Sequence, residues 1–357
     1  MQPSSPDRDI EFQSDIHRLR GVAILLIVAT HCVTFFSWNR HQTAFDLAHD
    51  LFDNSTLIFM FISGYLFHHT SARFQYGRYL KNKLRNVLAP YLIAAAPGIL
   101  YVLLYDGAKL NALGLDGYPS AEKAGYLLVY GGAQLNYALW FVPVMCLYYL
   151  VSPILLRAFE RPNGYSWLLL LIPLSVLMHR PSYSHGHNIA LALYFLSAYA
   201  IGMLCSKYHD KVVGVLDRRM PILVAASILV IVTHLFLSAH HGNYSVVSLG
   251  AFDHRDGWID WLFIQKILVT FTLWAVLRRL SALRLRALDT LASASFTIYF
   301  LHLYVLFIVA SIAHSAGVEI SVVSFCALLA LAVALPVALA VIVRKLAPRW
   351  SRTLVGS

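Results

Sequence analysis

Ten stretches of this chain are almost wholly apolar: 19–36, 54–70, 86–105, 137–156, 165–178, 190–206, 220–238, 258–277, 291–313 and 321–343. Nothing else in the sequence constrains the fold as much. Inside hydrocarbon the backbone N–H and C=O groups find no water, so a spanning segment must bond to itself as a helix or close into a barrel. Runs of about 20 apolar residues have helical length. They predict an all-α, polytopic integral membrane protein with about ten transmembrane helices. The fifth stretch is short and contains Pro173, so it is expected to be tilted, kinked or partly re-entrant. Residues 1–17 read as a mobile cytoplasmic tail, 18–345 as the transmembrane domain and 346–357 as a second tail. The first apolar run follows a polar segment and lacks a small-x-small exit, which makes it a permanent helix rather than a cleaved signal.

The net charge of +10 would suit nucleic acid, but the cations sit in short loops between apolar runs, where topology explains them. With the N-terminus inside, 22 of the 28 Lys and Arg residues fall in inner segments. Only Arg40, Lys109, Lys123, Arg180 and Arg255 fall outside, and Lys266 lies within a span, able to snorkel or pair elsewhere. Such a bias fits an even number of crossings with both termini cytoplasmic. Cys32, Cys146, Cys205 and Cys326 lie in apolar runs at unrelated spacings, which indicates neither disulfides nor a metal site. His185 and His187 after His179 hint at metal ligands, yet no carboxylate or cysteine stands nearby at a familiar spacing, so no metal is expected.

The first span begins at Arg20 and reaches His31 through almost unbroken hydrocarbon. Eleven residues are about three turns, so the two share a helix face about 16 Å apart along the axis. An ionisable group at that depth either bonds a neighbouring helix or serves a site. Ser295, Tyr299 and His302 share a face of the ninth span, with His302 at a comparable depth. Ser63 and Gly64 form a small pair in an aromatic run, suited to helix packing or to the approach of a thin ligand arm. The loop with Lys81, Lys83 and Arg85 suits lipid headgroups or a phosphate-bearing donor. The outer segment 106–136, with Tyr118, Tyr126 and Tyr130, would suit a polyhydroxylated ligand or an interfacial aromatic belt. So would segment 239–257, with His240, His241, Asp253, His254, Arg255 and Asp256.

Taken together, these residues resemble the membrane acyltransferase-3 family, bacterial enzymes that O-acylate glycans and related molecules. The basic-residue, ten residues, histidine element is here Arg20 and His31. The run Leu57 to Tyr65 is similar to the family's Phe-rich Ser-Gly segment, Leu139-Trp140-Phe141-Val142-Pro143 to its Leu-Trp-Phe-Leu element, and Ser295 through Tyr299 to His302 to its Ser-x-x-x-Tyr-x-x-His segment. The chain departs from the family in two places. His17 stands where an acidic residue is frequent, and in the second-loop Arg-x-x-Arg motif Lys83 takes the first place and Asn86 the second.

The resemblance implies an O-acetyltransferase of the bacterial inner membrane, with acetyl-CoA as donor, a carbohydrate acceptor and lipids as neighbours. It further implies Arg20, Lys81, Lys83, Arg85, Ser63 and Gly64 as donor contacts, Trp140 and Ser295 as substrate contacts, and His31 as general base. Arg20, Tyr299 and His302 complete the catalytic set, with Tyr299, Ser295 or His302 as candidate oxyanion donors. Direct transfer and an acyl-enzyme relay both stay open. The competing class is a secondary transporter or flippase for a lipid-linked or anionic solute, which would use the same buried cations and histidines.

Overall fold

A computed structural model describes residues 6–35, 42–182, 187–237, 241–242, 259–318 and 321–356. Fifteen α-helices are present among them, with short 3-10 turns and one π turn between some of them. They are α1 Pro6–Val33, α2 Gln42–Phe52, α3 Thr56–His69, α4 Tyr76–Lys83, α5 Ala89–Tyr105, α6 Gly107–Ala112, α7 Ser120–Val129 and α8 Phe141–Glu160. After these come α9 Leu168–Met178, α10 Asn188–Lys207, α11 His209–Leu237, α12 Trp261–Arg279, α13 Arg286–Ser315, α14 Val322–Leu346 and α15 Ser351–Val355.

Eight helical segments are long and apolar enough to cross a membrane, with α4 and α5 joined as one of them. The chain is a multi-pass membrane protein. Large apolar side chains such as Leu104, Leu169, Phe236 and Val322 are exposed on the bundle, as a lipid-facing surface requires. The other two apolar stretches form α3, of 14 residues, and α9, of 11. Pro173 lies within α9, so the short fifth stretch is a helix as expected. The first helix starts at Pro6, inside the segment read as a mobile tail, and Asp15 and Ile16 are buried. An ion pair between Asp15 and Arg278 at 3.1 Å explains why this polar stretch stays ordered. The second tail likewise carries α15, held where Thr297 Oγ1 donates to the Val355 carbonyl at 2.8 Å.

Three glycines set two close crossings. A Cβ on Gly21 would come within 2.5 Å of the Leu288 carbonyl oxygen, so α1 lies against α13 backbone to backbone. A Cβ on Gly64 would sit 1.9 Å from the Tyr199 oxygen, and one on Gly202 would sit 2.0 Å from the Phe61 oxygen. Helices α3 and α10 therefore touch through small residues, the usual device where lipid offers no hydrophobic drive between helices. Gly64 serves this contact, and neither Ser63 nor Gly64 lines the cavities described below. Gly64→Ala forces the α3–α10 pair apart and is expected to cost about 1–3 kcal/mol of stability. Thermal unfolding in detergent, with Gly77→Ala as the control, measures it; Gly77 has open space around it.

Lys266, the cation within a span, is completely enclosed, and it has structural work. Its Nζ donates to the carbonyls of Asp50 at 3.0 Å and Leu51 at 2.6 Å, the last turn of α2, where a cation also meets the negative end of the helix dipole. Asp260 caps the start of α12 by accepting from the Phe263 N–H at 2.8 Å.

Candidate active site

Helix α1 carries the sequence-predicted pair along one face, and the structure gives each end its own compartment. Arg20 lines a cleft of about 820 Å³ with Asn86 and with Lys83, Arg344 and Arg352, cations that the charge count places inside. His31 lines a second cavity of about 380 Å³ with His49, Asp53, Trp140 and Arg180, from segments that the count places outside. Between the two lies a narrow gap of about 20 Å³ lined by Phe59, Phe141, Ser295, Phe296 and Tyr299. His31 and Trp140 border both the gap and the outer cavity, and Phe296 borders both the gap and the inner cleft.

The close α1–α13 crossing at Gly21 brings the two predicted faces together. The His31 and His302 rings lie 5.2 Å apart between centroids, and Tyr137 meets His31 edge-on at 5.3 Å. His302 Nδ1 stands 3.0 Å from the Ile298 carbonyl and 2.9 Å from that of Tyr299. Carbonyls only accept, so Nδ1 carries the proton, and in the neutral ring Nε2 presents a lone pair. That Nε2 is buried and has no hydrogen-bond partner. His302 is therefore built to accept a hydrogen bond beside His31, and as a neutral ring it is not an oxyanion donor.

The other candidates separate in the same way. The Tyr299 hydroxyl donates to the Ala138 carbonyl at 2.7 Å, so its proton is already committed. Ser295 is 1% exposed and its Oγ has no hydrogen-bond partner, while it lines the gap beside His31. Arg20 donates to the Ala292 carbonyl at 2.7 Å, and its buried Nε has no hydrogen-bond partner. Lys83 reaches that cleft over the rings of Tyr79 and Tyr149, at 5.2 and 4.8 Å.

Lys81 and Arg85, read from the sequence as donor contacts, are exposed and line none of these three cavities. Two residues along a helix turn the side chain about 200°, so only one of Lys81 and Lys83 can face the cleft. The turn of π-helix at Leu84–Leu88 then reorients the chain. It precedes Pro90, whose ring would otherwise press on the Asn86 carbonyl four residues back. Asn86, three residues after Lys83, lines the same cleft.

The outer cavity holds residues that spacing alone did not single out. Arg180 lies over the Trp140 ring at 5.3 Å. His49 Nδ1 donates to Asp53 Oδ2 at 2.9 Å; burial opposes charge on this ring, but the carboxylates of Asp53, Asp50 and Asp46 together outweigh it and raise the His49 pKa above its ordinary value. The signals were present as an i, i+4 His–Asp pair and as one of only five outer cations. His241 donates to Asp50 at 2.8 Å at the same cavity, whereas His240, Asp253, His254, Arg255 and Asp256 lie outside the described residues. So does His185 of the histidine cluster.

A family model described as an acyltransferase domain, that of the acyltransferase 3 family, matches residues 13–341. The chain belongs to the acyltransferase 3 family. No curated protein and no solved structure matches it significantly. As a member of the acyltransferase 3 family it is an acyltransferase, with an acyl donor and an acceptor as its substrates. The match runs from α1 to most of α14, so Arg20, His31 and the residues lining the gap lie within it, while Arg344 and Arg352 of the inner cleft lie beyond it.

Proposed function

We propose that this acyltransferase moves an acetyl or other short acyl group from acyl-CoA to a carbohydrate hydroxyl, as an O-acyltransferase of the bacterial cytoplasmic membrane. The observation that carries this reading is the place of His31, which borders both the gap leading to a cationic inner cleft and a polar outer cavity. The donor's phosphates stay wet among Arg20 and Lys83 at the cytoplasmic end. Its thin pantetheine arm enters the gap, which opens by rotation of Phe296 and Phe59. The acceptor comes from the outer cavity, where the Trp140 ring offers a sugar an apolar face and the His49–Asp53 pair offers hydrogen bonds.

In the reaction the acceptor oxygen attacks the thioester carbonyl carbon while neutral His31 takes the hydroxyl proton. The C–O bond forms, the C–S bond breaks, and the proton passes from His31 to the departing thiolate, giving an ester and free coenzyme A. Turned onto the unpaired His302 Nε2, the His31 N–H fixes which nitrogen of His31 acts as base. Ser295 donates to the oxyanion. Direct transfer needs no further nucleophile.

Membranes bearing the protein, given coenzyme A charged with a radiolabelled acetyl group, are expected to place label on a glycan. Solute uptake with no labelled ester would overturn the reading in favour of a carrier.

A further inference from the structure

The inner cleft has a second cationic wall. Among its described lining residues Arg20, Lys83, Arg344 and Arg352 are cations and none is a carboxylate. Two of the four come from beyond the second loop, on the segment that ends α14 and forms α15. That segment packs against the π turn and the start of α5, the part of the chain where Asn86 replaces the second arginine of the motif. Arg344 is anchored, since one of its terminal nitrogens donates to the Ser293 carbonyl at 2.7 Å. Ser351, at the base of α15, is buried, while Arg352 is exposed on the cleft.

We propose that Arg344 and Arg352 bind the phosphates of the acyl donor and do the work that Asn86 cannot. This rests on the reading of the inner cleft as the acyl-CoA site. A guanidinium matches phosphate with two parallel N–H donors, whereas the Asn86 amide brings no charge. The C-terminal segment is in this view one wall of the donor site, and phosphate recognition is divided between two ends of the chain. The ligand chemistry is that of a nucleotide-linked polyphosphate.

The test uses the full-length protein in detergent micelles, with Arg352→Ala and Arg344→Gln beside the wild type. Each variant is expected to raise KM for acetyl-CoA about tenfold, as loss of one charged hydrogen bond implies. For acetyl-pantetheine, which lacks the nucleotide phosphates, KM should stay within about twofold of wild type. Coenzyme A should raise the Tm of the wild type at concentrations where it leaves Arg352→Ala unmoved.

Equal losses with both donors would mark the arginines as structural and overturn the proposal. So would a KM for acetyl-CoA that neither substitution moves, or stabilisation of the wild type by phosphatidylglycerol in place of coenzyme A. If the wild type neither binds coenzyme A nor uses acetyl-CoA, the donor reading itself fails, which is a different result from variants that match a working wild type.

Discussion

His31→Ala is expected to lower kcat for acyl transfer by about 10²–10⁴-fold, the usual contribution of a positioned general base. The protein should remain folded in the membrane. His31 is only partly buried and faces cavities on two sides, so its removal enlarges an existing space instead of opening a hole in packed core. The α1–α13 crossing is fixed three turns away at Gly21 and by the Arg20 bond to Ala292, neither of which involves the imidazole. Transfer of labelled acetyl by purified protein gives kcat, and a monodisperse elution profile checks the fold. His31→Gln offers a second variant that fills the same space without a titratable ring. Activity near wild type in either would remove His31 from the reaction and leave the gap without a base.

The same substitution bears on His302. If His302 acts only by holding the His31 ring, His302→Ala should reduce kcat less than His31→Ala, and the double variant should be no slower than His31→Ala alone. Groups that work as a unit lose their effect once, not twice.

Much of this arrangement was legible in the residues, and the parts that were not have physical causes. Apolar length predicted the helices because hydrocarbon leaves the backbone no alternative. The 3.6 period put Arg20 and His31 on one face, and Ser295, Tyr299 and His302 on another. Which loop cations turn inward was beyond such counting. Lys83 and Asn86, three residues apart, share the face that meets the cleft while Lys81 turns away, and counting gives a face without its orientation in the bundle. Arg344 and Arg352 read as topological charge, since only the folded chain sets the C-terminal segment against the second loop. Gly64 read first as a packing residue that could also admit a ligand arm, and the Tyr199 carbonyl lies where its Cβ would be. The polar stretch before Arg20 read as a tail because its partner, Arg278, is more than two hundred residues away.

Ser295→Ala separates chemistry from architecture by the sign of its two effects. The Ser295 hydroxyl is buried with no hydrogen-bond partner, and a group left in that state costs about 1–3 kcal/mol. Its removal should therefore leave stability unchanged or slightly raised. If the hydroxyl donates to the oxyanion as the thioester is attacked, kcat falls by about 10²–10³-fold in the same variant. Tyr299→Phe is expected to behave in the opposite way. Its hydroxyl is already donated to the Ala138 carbonyl, so the loss should appear as about 0.5–1.5 kcal/mol of stability, with a far smaller change in kcat. Thermal unfolding and acetyl-transfer rates on the two variants read both quantities. A Ser295→Ala enzyme with normal kcat would mean that the oxyanion is stabilised elsewhere, and a crippled Tyr299→Phe enzyme would point to a tyrosine proton that leaves Ala138 during the reaction.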